Sequence, residues 1–253
     1  MTDTRTPLPA EVRRTRLGEL LRAEGALSIE RASEVFDVHP MTIRRDMTAL
    51  EGEGMARRVR GGVVFVGVED FRHRQGRNLA AKRRIAEKLA PLLSQYSAIA
   101  LDASTTMYQL ATGIRNVGPL TVVTNGMAAF ATLKSRPGVQ VYLTGGQSEE
   151  QDISLVGPLA VAAISSFALD ACFISTSSLD PVIGSSESTM GEVEIKRAMA
   201  SASRRVVLAA DSSKLERKAM ARSLPISQID VLSTELDPAD PRLDPYRGHV
   251  EIL

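Results

Sequence analysis

PMTIRRDMTAL, residues 40–50, decides the reading of the amino-terminal part of this chain. Proline suits the first turn of a helix, where its missing N–H would find no intrahelical acceptor anyway. Ile43, Met47 and Leu50 then recur at i, i+4 and i+7, the spacing of one buried stripe. Thr42, Arg44 and Arg45 are left facing outward. A helix that is apolar on its back, with two adjacent arginines near its exposed start, has the construction of a DNA recognition helix. Guanidinium forks there meet base edges and phosphates. Two arginines on an ordinary solvated helix face would look the same, so the flanking segments must decide.

The flanks supply the rest of a winged helix-turn-helix over residues 10–65. Residues 11–25, EVRRTRLGELLRAEG, place Leu17, Leu20 and Leu21 on one face and stop at Gly25. Ser28 is the expected N-cap of a second helix that runs to Phe36 and buries Ala32, Val35 and Phe36. Asp37, Val38 and His39 form a tight connection. Beyond the 40–50 helix, residues 55–59 and 63–66 read as two strands around Arg60, Gly61 and Gly62. Arg57, Arg58 and Arg60 beside that turn form a basic wing for the sugar-phosphate backbone. The basic character is local. Residues 1–62 hold 11 arginines against 10 acids, but residues 40–62 hold five against three. DNA binding requires a basic surface rather than a basic chain. Double-stranded operator DNA is therefore the expected partner, met by Thr42, Arg44, Arg45, Arg57, Arg58 and Arg60.

The 253 residues leave room for a second, larger domain. Near-balanced charge, 31 basic against 30 acidic residues, argues against a second nucleic-acid surface there. A single cysteine, Cys172, excludes an internal disulfide framework; within the apolar run FALDACFISTS it reads as a small core residue. Three scattered histidines suggest no metal site, and no cofactor is expected. No run of 18 apolar residues occurs, and Met1 is followed by a polar, proline-containing tail rather than a signal-peptide core. A cytoplasmic protein without a membrane partner is the expectation.

Residues 66–78 read as a charged linker, 79–236 as the second domain and 237–253 as a carboxyl-terminal tail. Candidate strands at 98–101, 120–124, 140–143, 171–175, 205–209 and 231–233 are separated by candidate helices at 105–113, 127–136, 158–165 and 190–201. Apolar strands alternating with helices imply an α/β fold with a mostly parallel sheet covered on both faces. Ligands of such sheets bind at the carboxyl ends of the strands. There the chain places Asp102, Ser104, Thr105 and Thr106, then Thr124 and Asn125, then Thr144, Gly145 and Gly146, then Asp211, Ser212, Ser213 and Lys214. Hydroxyls, helix-start amides, close-approach glycines and a lysine suit a phosphate, and Asp102 and Asn125 suit sugar hydroxyls. Each run taken alone is also ordinary N-cap and turn chemistry.

The stretch VHPMTIRRDMTALEGEGMARRVRGG, residues 38–62, resembles the amino-terminal domain of the DeoR family of bacterial transcription regulators. His39 stands where that family usually has serine, which implies a weaker helix cap. LAAKRRIA, LDASTT, VTNG, the glycine pair, VEIKRAM and ADSSK are similar, in that order, to segments of the family's sensor domain. The resemblance implies a fold related to sugar-phosphate isomerases and an effector that is a phosphorylated sugar or related metabolite. It points to Asp102, Thr105, Thr106, Asn125, Gly145, Gly146 and Lys214 as pocket residues, and to Lys82 and Glu192 as further matched positions. Two departures stand out. Ser104-Thr105-Thr106 replaces a common Gly-Thr-Thr, and STSSLDPVIG (175–184) replaces a glycine-rich turn, so that Ser175, Thr176, Ser177 and Ser178 line that rim.

Two functions remain open at this level. The first is a sequence-specific repressor of a carbohydrate-metabolism operon, self-associating as a dimer or tetramer through its second domain, since helix-turn-helix heads read paired half-sites. The second is a sugar-phosphate isomerase or transferase with an appended DNA-binding domain, for which Asp102, Asp211 and Lys214 are the available acid–base groups. The second reading leaves the wing and recognition helix without a purpose.

Overall fold

The computed structural model of the protein describes residues 8–52, 55–65, 71–115, 118–148 and 154–253. The chain divides into two compact units, Met1–Glu69 and Asp70–Leu253.

The first unit runs α1 (Ala10–Glu24), β1 (Ala26–Ser28), α2 (Ile29–Phe36), α3 (Pro40–Gly52), β2 (Ala56–Val59) and β3 (Gly62–Phe65). α1 ends as expected on Gly25, whose φ of 73° is the left-handed conformation that glycine adopts without a steric cost. Ser28 caps α2 by accepting from the Arg31 amide. Leu17, Leu21, Leu27, Ile43, Met47 and Leu50 form the core, with Leu20 and Phe36 packed at its margin. Val35 departs from expectation at 44% exposed: α2 is only two turns long, and Ala32 supplies its buried contact. Strand β1 was not anticipated. It pairs with β3 to make a three-stranded sheet in the order β1-β3-β2. This pairing explains the two glycines of the wing. Gly61 turns with φ of 86°, and a Cβ on Gly62 would come within 2.2 Å of the Leu27 carbonyl oxygen. Val66, expected to end the second wing strand, and segment 66–70 of the expected linker lie outside the described residues.

The second unit begins with α4 (Phe71–Gly76), so these six residues of the expected linker are helical. Phe71 is buried with its ring edge-on to Tyr108 at 5.6 Å between centroids. There follow α5 (Leu79–Leu89), β4 (Ala98–Leu101), α6 (Thr105–Gly113), β5 (Leu120–Thr124), α7 (Met127–Leu133), β6 (Val139–Leu143), β7 (Gln147–Ser148), β8 (Leu155–Val156), α8 (Pro158–Ser165) and β9 (Leu169–Ser175). The remainder is β10 (Ser178–Asp180), β11 (Gly184–Glu187), α9 (Met190–Ala202), β12 (Ser203–Ala209), β13 (Ala221–Arg222), β14 (Val231–Ser233) and β15 (Glu251–Ile252).

Seven of these strands form a fully parallel sheet in the order β15-β14-β12-β9-β4-β5-β6. Alternate residues serve opposite faces. Ile99, Leu101, Val122 and Phe173 pack with Ile85, Leu89, Met107, Leu110 and Leu133, on the side of α5, α6 and α7. Ala100, Val123, Cys172 and Ile174 pack with Ala160, Ile164, Ile195 and Met199, on the side of α8 and α9. Both faces are dry, which is why these strands read as continuous apolar runs. The expected tail belongs to the domain. Tyr246 is fully buried and donates to the Leu179 carbonyl, and β15 completes the sheet beside β14.

Candidate functional site

Sheet order fixes where the second unit can hold a ligand. From β4 the chain proceeds through α6 to β5 and through α7 to β6, always outward on one side. It then returns through α8 to β9 on the other side of β4 and continues outward to β12, β14 and β15. The direction reverses between β4 and β9. In open parallel sheets a crevice opens at that reversal, beyond the carboxyl ends of the strands. Asp102 follows β4 and Ser175 ends β9, so these two residues stand at that reversal.

Asp102 is fully buried, and both of its oxygens are engaged. Oδ1 accepts from the Ser104 amide at 3.0 Å and Oδ2 from the Ser175 amide at 2.8 Å. Its carboxylate thus ties the two strand ends together. Burial pushes its pKa up, against the pull of Lys196. Ser104 caps α6 by accepting from the Met107 amide at 3.1 Å, and Thr105 and Thr106 are buried in the first turn. Lys214 reaches the same place from the loop after β12. Its Nζ donates to Ser175 Oγ at 3.1 Å and lies 3.9 Å from Asp211. Burial lowers its pKa, and Asp211 opposes that shift. Asp211 is itself set by Ser213 and by the Asn78 side chain at 3.1 Å.

Asn125, Gly145 and Gly146 lie at the ends of β5 and β6. At the roughly 4.8 Å spacing of neighbouring strands, the last pair is about 10 Å from β4. A Cβ on Gly146 would meet the Val156 carbonyl at 2.5 Å, so packing against β8 already requires glycine there. Thr176 is buried beneath the rim with its hydroxyl donating to the Ser178 and Ser186 carbonyls, and Ser178 begins β10. Of the four residues read as rim, Ser177 is the exposed one.

The largest feature here was not singled out from sequence. Lys196 on α9 is buried, with its Nζ 2.8 Å from Glu187, 3.3 Å from Glu192 and 3.7 Å from Asp102. Burial works against its charge, but the three carboxylates overcome it and hold its pKa above the usual lysine range. Glu187 is also fully buried, and burial pushes its pKa up despite Lys196. Glu192 therefore orients a buried cation. The i,i+4 spacing of Glu192 and Lys196 was the one available signal, and it normally marks a solvated pair.

Lys82 is buried at the start of α5 and donates to the Arg74 and Arg77 carbonyls, closing the carboxyl end of α4. Burial, reinforced by Lys214, lowers its pKa to about 8. The unfolded chain keeps this proton up to about 10.5. Between these values the unfolded state holds more protons, so the stability contributed by Lys82 rises with pH. Urea titrations of wild type and Lys82→Met between pH 8 and 10.5 should show a positive slope for wild type that the variant loses. Equal slopes would contradict this assignment.

In the first unit, α3 presents Arg44 and Arg45 on its exposed face, with Thr42 half-buried ahead of them. His39 caps the helix, its Nδ1 accepting from the Met41 amide at 3.2 Å. Asp46 is buried and clasps Arg13 of α1 at 2.6 and 3.3 Å, so this conspicuous carboxylate holds the recognition helix rather than touching a ligand. Arg58 turns back onto α3, meeting Glu51 at 3.5 Å, the Thr48 hydroxyl and the Arg44 carbonyl. Among the described residues, Arg44, Arg45, Arg57 and Arg60 are exposed and form no ion pair.

Residues 13–67 match the family model described as the DeoR-like helix-turn-helix domain, and residues 77–235 match the DeoR C terminal sensor domain. The chain is 32% identical to the HTH-type transcriptional regulator GolR of Listeria innocua, over 88% of this chain and 89% of that protein. It is 31% identical to the glycerol-3-phosphate regulon repressor of Escherichia coli, over 87% and 88%, and 32% identical to the transcriptional repressor AccR of Agrobacterium fabrum, over 88% of each. Among solved structures, ribose 5 phosphate isomerase A from Neisseria gonorrhoeae aligns with a TM-score of 0.35 at 17% identity, over 53% of this chain and 52% of that one. That likeness is too slight to carry a chemical argument. Among the described residues, no helix is long and apolar enough to cross a membrane.

Proposed function

Because the chain belongs to the DeoR family of transcription regulators, we propose that it represses a carbohydrate-metabolism operon and that a phosphorylated sugar or related metabolite controls its hold on operator DNA. One observation carries the effector half of this reading. Lys214, held against Ser175 at 3.1 Å, brings a cation to the sheet's reversal point, where the amides and hydroxyls of Thr105 and Thr106 open α6. A lysine meets phosphate as a point charge, and helix-start amides hold its oxygens. Asp102 and Ser104 shape that end of the site, and Asn125, Gly145 and Gly146 bound its far side. The names of two relatives, the glycerol-3-phosphate regulon repressor and the repressor AccR, agree with repression and, in the first case, with a phosphorylated metabolite.

The exposed pair Arg44 and Arg45, with Thr42 beside them, reads base edges, while Arg57 and Arg60 meet backbone phosphates. Arg58 acts by fastening the wing to α3. The second unit joins copies into at least a dimer, which pairs the DNA heads. A ligand alters DNA affinity only if it binds the DNA-competent and DNA-incompetent states unequally. Selection of genomic fragments by the purified protein, followed by binding isotherms with and without phosphosugars, tests the reading. Recovery of one fragment class whose affinity responds to a phosphosugar supports it. Fragments bound without sequence preference, or a complex indifferent to every phosphorylated compound, would overturn it.

A further inference from the structure

Glu187 ends β11 fully buried, and its two oxygens are used unequally. Oε2 accepts from the Ser177 amide at 3.1 Å and the Ser177 hydroxyl at 3.2 Å, and it lies 2.8 Å from Lys196 Nζ. Oε1 has no donor among the described residues, because the neighbouring Thr176 hydroxyl donates to the Ser178 and Ser186 carbonyls instead. Leaving a buried acceptor of this kind unmade costs more than an ordinary hydrogen bond returns, so such atoms call for a partner. A second instance lies on the same strand-end surface. Asn125 is wholly buried, and its Nδ2 donates to the Leu155 carbonyl at 3.1 Å. That contact fixes the amide's orientation, because the flipped amide would set oxygen against oxygen. Asn125 Oδ1 is then left without a donor, as is the hydroxyl of Ser154, which is bridged to Gly126.

We propose that Glu187 is a specificity-determining residue of the effector site, accepting on Oε1 a hydrogen bond from a hydroxyl of the same phosphorylated carbohydrate whose phosphate meets Lys214. Asn125 Oδ1 accepts from a second hydroxyl farther along that ligand. This inference rests on the phosphosugar reading above. The phosphate cation and the hydroxyl acceptor belong to one chain of contacts. Lys214 meets Ser175 at 3.1 Å, and the Ser175 amide meets Asp102 at 2.8 Å. Asp102 lies 3.7 Å from Lys196, which holds Glu187. Ser177, which fixes the carboxylate through Oε2, is itself exposed at the rim. A carboxylate in such a place rejects a ligand lacking the matching hydroxyl, because the buried acceptor is then unpaired.

Titration calorimetry on the full-length chain tests this, using inorganic phosphate, D-ribose 5-phosphate, D-fructose 6-phosphate and single-deoxy analogues of the two sugars. Wild type should prefer at least one parent over its deoxy partner by about tenfold or more, and E187Q should bring that pair within about threefold by weakening the parent. Inorganic phosphate should bind both proteins equally. Ser177→Ala, at an exposed position, removes one anchor of Oε2 and should reduce the same preference at an unchanged melting temperature. That variant keeps the inference testable if E187Q fails to fold. Undiminished preference in E187Q, or in Ser177→Ala should E187Q not fold, would overturn the inference and leave Oε1 to an ordered water. Sugar phosphates that bind wild type without distinguishing parent from deoxy would do the same. If no phosphorylated probe binds wild type at all, the effector reading itself fails, and this inference with it.

Discussion

Replacing Lys196 by methionine should destabilise the second unit by about 3–5 kcal/mol, the cost of leaving buried carboxylates without their cation. Methionine preserves most of the apolar stem, so the loss isolates the ammonium. Glu187, Glu192 and Asp102 then face one another without it. Burial already pushes the pKa values of Asp102 and Glu187 up, and removing Lys196 removes the main opposing pull. In the variant these carboxyls hold protons in the folded state at pH values where the unfolded chain has released them. Stability should therefore fall as pH rises above the ordinary carboxylate range. Urea unfolding of wild type and variant between pH 5 and 8 should show a deficit that grows with pH. A deficit below about 1 kcal/mol, or one that does not change with pH, would mean that the cluster is not the coupled unit described here.

Arg44→Ala and Arg45→Ala should each sharply weaken binding to the selected DNA fragment, and at least one should also relax sequence preference. A bidentate arginine–guanine contact is worth about 1–3 kcal/mol of discrimination. Both side chains stand exposed on α3, and Asp46, clasped to Arg13 behind them, fixes the helix on its core. Arg60→Ala should instead weaken specific and random DNA alike and lower the salt slope by about one unit, as expected of a phosphate contact. Arg58→Ala should behave differently, because its guanidinium lies against Thr48 and Glu51; it loosens the wing rather than removing one phosphate contact. Isotherms at several salt concentrations separate these outcomes. Unchanged affinity in both the Arg44 and Arg45 variants would remove α3 from the interface.

Much of the fold was legible because its signals are local. Strands β4, β5 and β14 and helices α6 and α8 begin and end where apolar runs and cap residues place them. What escaped depends on distant partners. β1 is three residues long and exists because β3 lies beside it. β15 is two residues long, preceded by a proline-containing segment that reads as a tail, and only pairing with β14 gives it a place. The site divides in the same way. Asp102 and Lys214 announced themselves at strand ends, and the sheet's reversal point brings them to one place. Asp46 stands beside the two outward arginines in sequence, but its partner Arg13 is 33 positions away and the pair is buried. Glu187 and Lys196 look like surface residues in sequence, since burial of a charge follows from tertiary packing and has no local pattern. The phosphate end of the proposed site was thus readable, whereas the acceptor proposed to select the sugar was not.

The most direct test is the operator affinity of wild type and Lys214→Ala, each measured by fluorescence anisotropy on the selected fragment with and without a saturating phosphosugar. The account predicts that both proteins bind the fragment equally in the absence of ligand. Ligand should then change wild-type affinity by about fivefold or more, the lower end of typical coupling between sites, and should leave the variant's affinity nearly unchanged. An identical response in both proteins, or no response of wild type to any phosphorylated sugar, would contradict it.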